Sequence, residues 1–225
     1  MVNVAILGCG YVGTAVAQHW RQQGLVVTAT TTRPERLEEL RSVADRVVVM
    51  RGDDPEAVGS LLAHQHTLLI CVGAGRGADY QRTYLDTAQT VLAGLDQAPH
   101  LGQIIFTSTG SVYGDYGGAW VTELDAPRPT TANGEIMVAT EKALLAAARG
   151  DRQVCIFRLG GTTAPVASWS RSMAAGRVLA GLERGRNLAT GCTVRISWGR
   201  LAWPRGDRWG ASITWCRMKS CRWVS

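Results

Sequence analysis

The sequence predicts an α/β fold with a doubly wound parallel sheet, followed by a smaller C-terminal region. An apolar run near the N-terminus leads into a glycine-rich turn, and short β-branched runs recur between helical segments as far as residue 161. The composition then changes near residue 186. Strands that alternate with helices form parallel sheets, because each helix returns the chain to the end of the sheet where the previous strand began. We therefore expect one domain over residues 1–165 and an incomplete second region over residues 166–225.

The first strand, residues 4–7, runs into glycines with the spacing Gly-x-Gly-x-x-Gly, and a helix over residues 14–20 follows. Gly8 permits a tight turn, Gly10 lets the backbone approach a pyrophosphate, and Gly13 lets the helix pack closely on the strand. The N-terminus of that helix offers N–H groups and the positive end of its dipole to phosphates. This order predicts dinucleotide binding; the alternative is a glycine turn that serves packing alone.

The segment after the second strand, residues 25–30, indicates which dinucleotide is bound. A unit specific for NAD places an acidic residue about 20 residues after its glycines, where it bonds the ribose 2′-hydroxyl. Here Arg33 lies 20 residues after Gly13, Thr32 precedes it, and no acid occurs before Glu35. A guanidinium beside hydroxyls suits a 2′-phosphate. We therefore predict NADP as the preferred cofactor and NAD as the second; the alternative is that Arg33 is only a solvated residue at a helix start.

The remaining elements continue the alternation. Asp53 follows the third strand and is predicted either to accept a hydrogen bond from the adenine amino group or to cap the next helix. A glycine-rich loop, residues 73–77, follows the fourth strand, where ligands bind in open α/β sheets. The predicted helices after the first, which Gly24 ends, cover residues 34–40, 55–62, 80–95 and 139–149, with Gly150 as the last stop, and a helical pattern returns at 173–182. The predicted strands after the second cover residues 47–50, 67–72, 103–109 and 154–159.

Residues 106–114, Phe-Thr-Ser-Thr-Gly-Ser-Val-Tyr-Gly, resemble the serine/threonine segment of extended short-chain dehydrogenases/reductases, the nucleotide-sugar epimerase and dehydratase group. Residues 123–127 and 158–161 resemble later motifs of that family, and the resemblance covers about residues 1–165. It implies a Rossmann fold and a catalytic role for Thr109, whose hydroxyl would bond the substrate oxygen. The alternative is a hydroxyl that is satisfied at the end of a strand.

The family's mechanism also needs a tyrosine and, four residues later, a lysine that lowers the tyrosine pKa, so that the phenolate moves a proton. Matched on Glu141, these two positions hold Asn133 and Met137, and Lys142 comes one helical turn too late. This departure resembles the atypical branch of the family, which keeps the cofactor fold with altered or absent catalytic residues. The other candidates for proton transfer are Tyr80, Tyr84 and Tyr113.

Two function hypotheses follow. The first is an NAD(P)-binding epimerase- or dehydratase-like oxidoreductase that acts on a small carbonyl or hydroxyl compound, with nucleotide sugars among the candidates. The second is a catalytically inactive module that senses NADP(H). For both, the predicted cofactor-binding residues are Gly8, Gly10, Tyr11, Val12, Gly13, Thr32, Arg33, Asp53, Val72, Gly73, Thr107, Leu159 and Gly160.

The composition of the chain limits the kinds of ligand and partner that we expect it to bind. Residues 195–225 hold seven of the 24 basic residues and one of the 18 acidic ones, which leaves 17 of each in residues 1–194 and argues against nucleic acid. No apolar run reaches the length of about 20 residues that a membrane span needs. The six cysteines lack Cys-x-x-Cys spacing, so we expect reduced thiols and a cytoplasmic protein. Because His64 and His66 are also expected at the surface, we expect no metal site. The expected partners are a dinucleotide and a small-molecule substrate, and we allow for a homodimer.

The tail, residues 186–225, differs in character. Five of the eight tryptophans lie at or after Trp198, among Arg, Cys, Ser and Gly, with no apolar periodicity. We expect the tail to pack irregularly, to leave the substrate side incomplete, and to stem from a frameshift or a divergent end. Reading the DNA for residues 180–195 in the other two frames tests the frameshift. An aromatic and basic nucleic-acid patch is the alternative.

Overall fold

The computed structural model describes residues 1–117, 119 and 121–159, together with the backbones of six short strands between residues 162 and 214. It divides into two compact units. The first comprises Met1–Ser108 with Thr131–Arg158, and the second comprises Thr109–Thr130 with Leu159–Ser225. The domain boundary after residue 165 stays a prediction.

A six-stranded parallel sheet forms the fold, as predicted. The strands lie in the order β3-β2-β1-β4-β5-β6, so the order reverses between β1 and β4. At such a switch point the crossovers on either side diverge and leave a crevice at the carboxyl ends of the strands, where ligands bind in this class of fold. Their bounds are β1 Asn3–Leu7, β2 Val26–Thr31, β3 Arg46–Val49, β4 Thr67–Ile70, β5 Gln103–Thr109 and β6 Gln153–Leu159.

The central strands are buried on both faces, which is why their sequences read as continuous apolar runs rather than as alternating ones. Every residue of β4 is buried, and so are the last four of β1. Phe106, the largest fully buried side chain, sits in the middle of β5. The strand nearest the edge, β3, has no fully buried residue and begins with an exposed arginine, as an edge strand should.

The helices form two groups: α1 and α2 contact the first three strands, whereas α4 packs against α3 and α5. A 3-10 turn, Pro34–Arg36, leads into α2, and a π-helical turn, Arg82–Asp86, leads into α4. Gly24 ends α1 as predicted: it has φ +76° and donates to the Arg21 carbonyl, while Leu25 donates to the Trp20 carbonyl. The bounds are α1 Tyr11–Gln22, α2 Leu37–Arg41, α3 Pro55–Leu62, α4 Thr87–Ala93 and α5 Ala132–Leu145.

The predicted bounds of the last of these helices, residues 139–149, are wrong. The helix begins at Ala132, because the Thr131 hydroxyl accepts a hydrogen bond from the Gly134 N–H and caps the first turn. It ends at Leu145. Gly150, expected as its stop, has φ +59° and lies in the turn before β6.

Beyond β6 the chain forms pairs of short strands. Thr162–Thr163 (β7) runs parallel to Cys192–Thr193 (β8), and Arg195–Ile196 (β9) pairs with Ile213–Thr214 (β12). Arg200–Ala202 (β10) pairs with Arg208–Gly210 (β11). The predicted helix at 173–182 and the packing of the tail fall outside the described residues. Within the described part, no helix combines the length and the apolar character that a membrane crossing requires.

Candidate functional site

The glycine turn between β1 and α1 has the geometry that its spacing predicts. Gly8 has φ +89°, and a Cβ added there would lie 2.7 Å from the Cα of Val72. A Cβ on Gly13 would lie 3.0 Å from the sulfur of Cys71 and from the Gly8 carbonyl oxygen, so the helix packs against the turn only because residue 13 is glycine. Around Gly10 a Cβ would meet nothing within 4 Å. The backbone at Gly10 thus carries no side chain and has free space beside it.

Hydrogen bonds to the second strand hold this turn in place. The Gly8 N–H donates to the Thr30 hydroxyl at 3.0 Å, and the Cys9 N–H donates to the Thr30 carbonyl at 2.7 Å. Gly10 stands at the N-cap position of α1, so no side chain caps this helix, and no acidic residue lies in its first turn. The positive end of the helix dipole is therefore not neutralised by a carboxylate of its own first turn, which suits a phosphate. Tyr11 and Val12, predicted to bind cofactor, form this first turn and are exposed and half-buried.

After β2, Thr32 and Arg33 are both exposed. Within the described residues the Arg33 guanidinium forms no hydrogen bond or ion pair; its backbone N–H donates to the Thr31 hydroxyl at 3.1 Å. Sequence reasoning missed a second arginine, Arg36. Its guanidinium donates to the Cys9 carbonyl of the glycine turn and, at 3.3 Å, to the Thr14 hydroxyl. Arg36 was overlooked because only the 3-10 turn brings its side chain back to the glycines.

Asp53 does not cap the following helix, so that alternative is wrong. The cap is Asp54, whose carboxylate accepts from the N–H groups of residues 56 and 57 at 3.1 Å each. Asp53 is instead paired with Arg51, at 2.9 Å, and with Arg82. Burial alone would raise the pKa of Asp53, but the hydrogen bonds from Arg82 and Arg51 outweigh it and hold the pKa below its usual value. Its contact with adenine stays a prediction.

The loop after β4 carries the next predicted residues. Val72 is half-buried, and a Cβ on Gly73 would meet nothing within 4 Å. The Thr107 hydroxyl on β5 donates to the Ile70 carbonyl at the end of β4, at 3.3 Å. The Ala74 N–H donates to the hydroxyl of Tyr84 at 3.2 Å, and the ring of Tyr80 lies 4.6 Å from that of Tyr84. The Tyr84 hydroxyl therefore holds the loop after β4, at the switch point, and Tyr80 packs against the Tyr84 ring.

Thr109 is the last residue of β5. Its hydroxyl accepts a hydrogen bond from the Ser111 N–H at 3.3 Å and caps the 3-10 turn Gly110–Tyr113. A hydroxyl that accepts one bond still carries a proton to donate, so this contact is compatible with both predicted roles. Tyr113, at the end of that turn, has its ring edge-on to Tyr116 at 6.4 Å. Leu159 ends β6 half-buried, and Gly160 lies outside the described residues.

Asn133 and Met137 lie four residues apart on α5, as the tyrosine and lysine of the family would. Positions i and i+4 share one helix face. Asn133 is exposed in the first turn, whereas Met137 is only 2% exposed. Lys142 is exposed on the last turn and lies about 140° around the helix from Met137, since each residue advances about 100°. It cannot take the place of the missing lysine.

A buried ion pair lies on the same helix. Glu141 is 2% exposed and accepts hydrogen bonds from Arg158 of β6: Nε lies 3.1 Å from both carboxylate oxygens, and Nη2 lies 2.7 Å from Oε2. The Ser108 hydroxyl of β5 donates to the same carboxylate at 2.5 Å. The network ties α5 to the carboxyl ends of two strands. Sequence reasoning used Glu141 only as an alignment landmark, although an acid with apolar Met137 and Leu144 four residues before it and three after it, on one helix face, is itself a signal.

The described histidines and cysteines take no part in a cluster of metal ligands. Across the described residues no three of His, Cys, Asp and Glu come together in a way that would hold a metal ion. His64 is exposed, but His66 is half-buried and accepts from the Asn3 N–H at 3.1 Å, so the surface prediction is wrong for His66. Burial raises the pKa of the Cys9 and Cys71 thiols, and both are free. They are therefore protonated at neutral pH and poor nucleophiles.

Taken together, the bare turn, the uncapped helix and the arginines after β2 fit the diphosphate and adenosine portions of a nicotinamide dinucleotide. These features define the class: a dinucleotide-binding protein with a Rossmann fold.

The comparisons agree. The chain belongs to the NAD dependent epimerase/dehydratase family, whose family model matches residues 4–189. It is 30% identical over 146 residues to the protein YeeZ of Escherichia coli strain K12, over 63% of this chain and 52% of that protein. The chain thus spans about half the length of the curated relatives it matches.

Solved structures show the same fold. A conserved protein of unknown function from Silicibacter pomeroyi is 26% identical with a TM-score of 0.57, over 72% of this chain and 54% of that one. A UDP-glucose 4-epimerase from Thermotoga maritima, with UDP-glucose, is 19% identical with a TM-score of 0.66, over 78% and 64%. A UDP-glucose-4-epimerase from Stenotrophomonas maltophila, with bound NAD and formylated UDP-arabinopyranose, is 20% identical with a TM-score of 0.63, over 75% and 55%.

Proposed function

We propose that this chain binds NADP(H) in preference to NAD(H) and works as an epimerase- or dehydratase-like oxidoreductase on a small carbonyl or hydroxyl compound. The observation that carries the proposal is the open backbone at Gly10 beside the uncapped N-terminus of α1. Membership of the NAD dependent epimerase/dehydratase family supports the reaction class. The free thiols of Cys9, Cys71 and Cys155 support a cytoplasmic location, because thiols stay reduced in that compartment.

The residues proposed to hold the cofactor divide by the part they meet. The turn Gly8 to Gly13 and the first turn of α1 would bind the diphosphate, and Arg33 with Thr32 would bind the adenosine 2′-phosphate. Asp53 would meet the adenine, and Val72, Gly73, Thr107, Leu159 and Gly160 would line the nicotinamide side. When bound, the nicotinamide supplies hydride transfer. Thr109 would orient the substrate oxygen by donating a hydrogen bond.

The substrate class proposed is a nucleotide sugar. The Thermotoga maritima and Stenotrophomonas maltophila structures contain such ligands, and the family's description names epimerases and dehydratases.

Asn133 and Met137 favour a second candidate, a sensor of NADP(H) without chemistry of its own. An amide forms no phenolate, and a thioether carries no charge that would lower the pKa of a neighbour. Thr109→Ala separates the two candidates. An enzyme would lose turnover on a panel of alcohols, aldehydes and nucleotide sugars, whereas a sensor would keep both its cofactor affinity and its biological effect.

Calorimetry with NADPH and NADH tests the cofactor proposal. The wild type should bind NADPH more tightly, and Arg33→Ala should lose most of that preference, since a hydrogen bond to a charged group contributes about 1.5–3 kcal/mol. Arg149→Ala removes the same charge from an exposed position in the loop after α5 and should leave the preference intact. Equal affinity of the wild type for both dinucleotides would contradict the proposal.

A further inference from the structure

Two acidic residues on α2 carry similar ion pairs in different surroundings. Glu39 accepts from Arg36, three residues before it, at 2.9 Å from Nε and also from Nη2. Glu38 accepts from Arg41, three residues after it. The Arg41 side chain is 61% exposed and, among the described residues, bonds only Glu38. The Arg36 side chain is 13% exposed and also donates to the glycine turn. Only the Glu39 pair thus borders the candidate phosphate-binding site.

The donors of Arg36 are divided between two functions. Nη1 donates to the Cys9 carbonyl, while Nε and Nη2 donate to the Glu39 carboxylate; Nη2 also donates to the Thr14 hydroxyl, at 3.3 Å. A guanidinium presents that same edge to a carboxylate or to a phosphate, because both match its fork of N–H groups. Glu39 therefore occupies the edge of Arg36 that a phosphate ester would use.

The position of the pair suggests which phosphate. Arg36 lies just after the end of β2, where this fold meets the adenosine ribose, and a nearby arginine accommodates a 2′-phosphate in NADP-binding members of the class. Arg33 is also close enough to influence Glu39: the hydrogen bond from Arg36 is the main cause that lowers the pKa of Glu39, and the charge of Arg33 adds to it. Glu39 thus remains an anion at neutral pH, held by Arg36.

We infer that Glu39 is an internal competitor of the cofactor's 2′-phosphate for the Arg36 guanidinium, and so sets how strongly the chain discriminates NADPH from NADH. The inference rests on the proposed NADP(H) binding and adds a specificity-determining residue to it. When NADPH binds, Arg36 exchanges the Glu39 carboxylate for the phosphate and keeps its bond to Cys9. NADH has no phosphate at that position and leaves the Arg36–Glu39 pair in place.

The experiment measures dissociation constants of NADPH and NADH for the wild type, Glu39→Gln and Glu38→Gln. Glu39→Gln should bind NADPH about two- to fivefold more tightly, the range that corresponds to loss of one exposed ion pair. NADH binding should change less than about twofold by the same reasoning. Glu38→Gln removes the same charge one residue away and should leave the ratio of the two constants unchanged, because its partner Arg41 does not contact the glycine turn.

A second background makes the test specific for Arg36. In Arg36→Met, which keeps the length of the side chain and removes the charge, Glu39→Gln should no longer tighten NADPH binding. Thermal unfolding of every variant verifies that each one is folded. Persistence of the effect in Arg36→Met, or equal effects of Glu39→Gln and Glu38→Gln, would overturn the inference while leaving NADP(H) binding intact. If the wild type bound neither dinucleotide, the proposed function itself would fail.

Discussion

The glycine turn and the start of helix α5 lie in the same compact unit, yet they differ in how far their residues suit an oxidoreductase. At the turn, Gly8 and Gly13 occupy places where a Cβ would collide with neighbouring atoms. On α5, the face that would carry a tyrosine and a lysine presents Asn133 and Met137. The turn depends on backbone geometry, which the fold requires, whereas proton transfer depends on side chains that a helix can exchange without loss of its shape.

The same helix keeps its buried charges. Glu141 and Arg158 are paired, whereas the two positions expected to hold a tyrosine and a lysine hold Asn133 and Met137. Such a pair has a structural reason even without chemistry, because removing one partner leaves an uncompensated charge in the core. Glu141 on α5 therefore holds the structure, whereas positions 133 and 137 are those where the family's tyrosine and lysine would act.

The largest effect should come from Glu141→Ala. The substitution leaves the Arg158 guanidinium and the Ser108 hydroxyl without their common acceptor, and we expect a loss of about 3–5 kcal/mol in the free energy of unfolding. Urea denaturation measures it. Glu135→Ala, at an exposed position in the first turn of α5, should lose less than about 1 kcal/mol, through the helix dipole alone. Similar losses for both variants would show that the buried network contributes nothing special.

The second largest loss of stability should come from Gly8→Ala. The positive φ at this position is strained for alanine by about 1–2 kcal/mol, and the collision with the Val72 backbone adds about 1–3 kcal/mol. Gly24→Ala is the matched control, because Gly24 has φ +76° but nothing within 4 Å of an added Cβ. It should show the conformational part alone. If the two variants unfolded at the same urea concentration, the close contact of Gly8 with Val72 would carry no energy.

Much of the fold was readable from the sequence, because it depends on local patterns. Apolar β-branched runs between turn residues predicted all six main strands to within two residues at each end. The start of α5 was misread because Asn133-Gly134 is typical of a turn. In the structure the capping hydroxyl of Thr131 stabilises a helix over those residues.

The candidate site was harder to predict, because it depends on contacts between distant residues. The position of Gly10 followed from spacing alone. The roles of Arg36 and Asp53 did not: the first requires a 3-10 turn that brings residue 36 against Cys9, and the second requires Arg82, 29 residues away, to reach back. The apolar periodicity of a sequence predicts helices and strands, but it does not predict contacts between residues far apart in the chain.

Gly10→Ala should separate binding from folding. An alanine Cβ at this position meets no atom within 4 Å, so the free energy of unfolding should change by less than about 1 kcal/mol. The methyl group would occupy the space proposed for the diphosphate, and we expect the Kd for NADPH to rise at least about tenfold, or about 1.4 kcal/mol. Gly102→Ala, equally unobstructed but located just before β5, should leave the Kd unchanged. Unchanged binding by Gly10→Ala would place the diphosphate elsewhere.

The smallest effect concerns Asp53. Its ion pairs with Arg51 and Arg82 lie at the surface, in contrast to the buried pair of Glu141 with Arg158. Because the folded-state pKa of Asp53 lies below its value in the unfolded chain, its contribution to stability is complete above the unfolded pKa of about 3.9 and is lost as the pH falls through the folded pKa. Both partners are more than half exposed, so this contribution should be below about 1 kcal/mol. Asp53→Asn should therefore lower the free energy of unfolding slightly at pH 7. It should also flatten the decline of that free energy between about pH 5 and pH 3, as measured by urea unfolding across that range.

Asp96→Asn, at an exposed position without an ion pair among the described residues, should leave the decline as steep as in the wild type. If Asp53→Asn instead lost as much stability as Glu141→Ala, the cofactor side would depend on a buried charge as strongly as α5 does, and the contrast between the two regions would disappear.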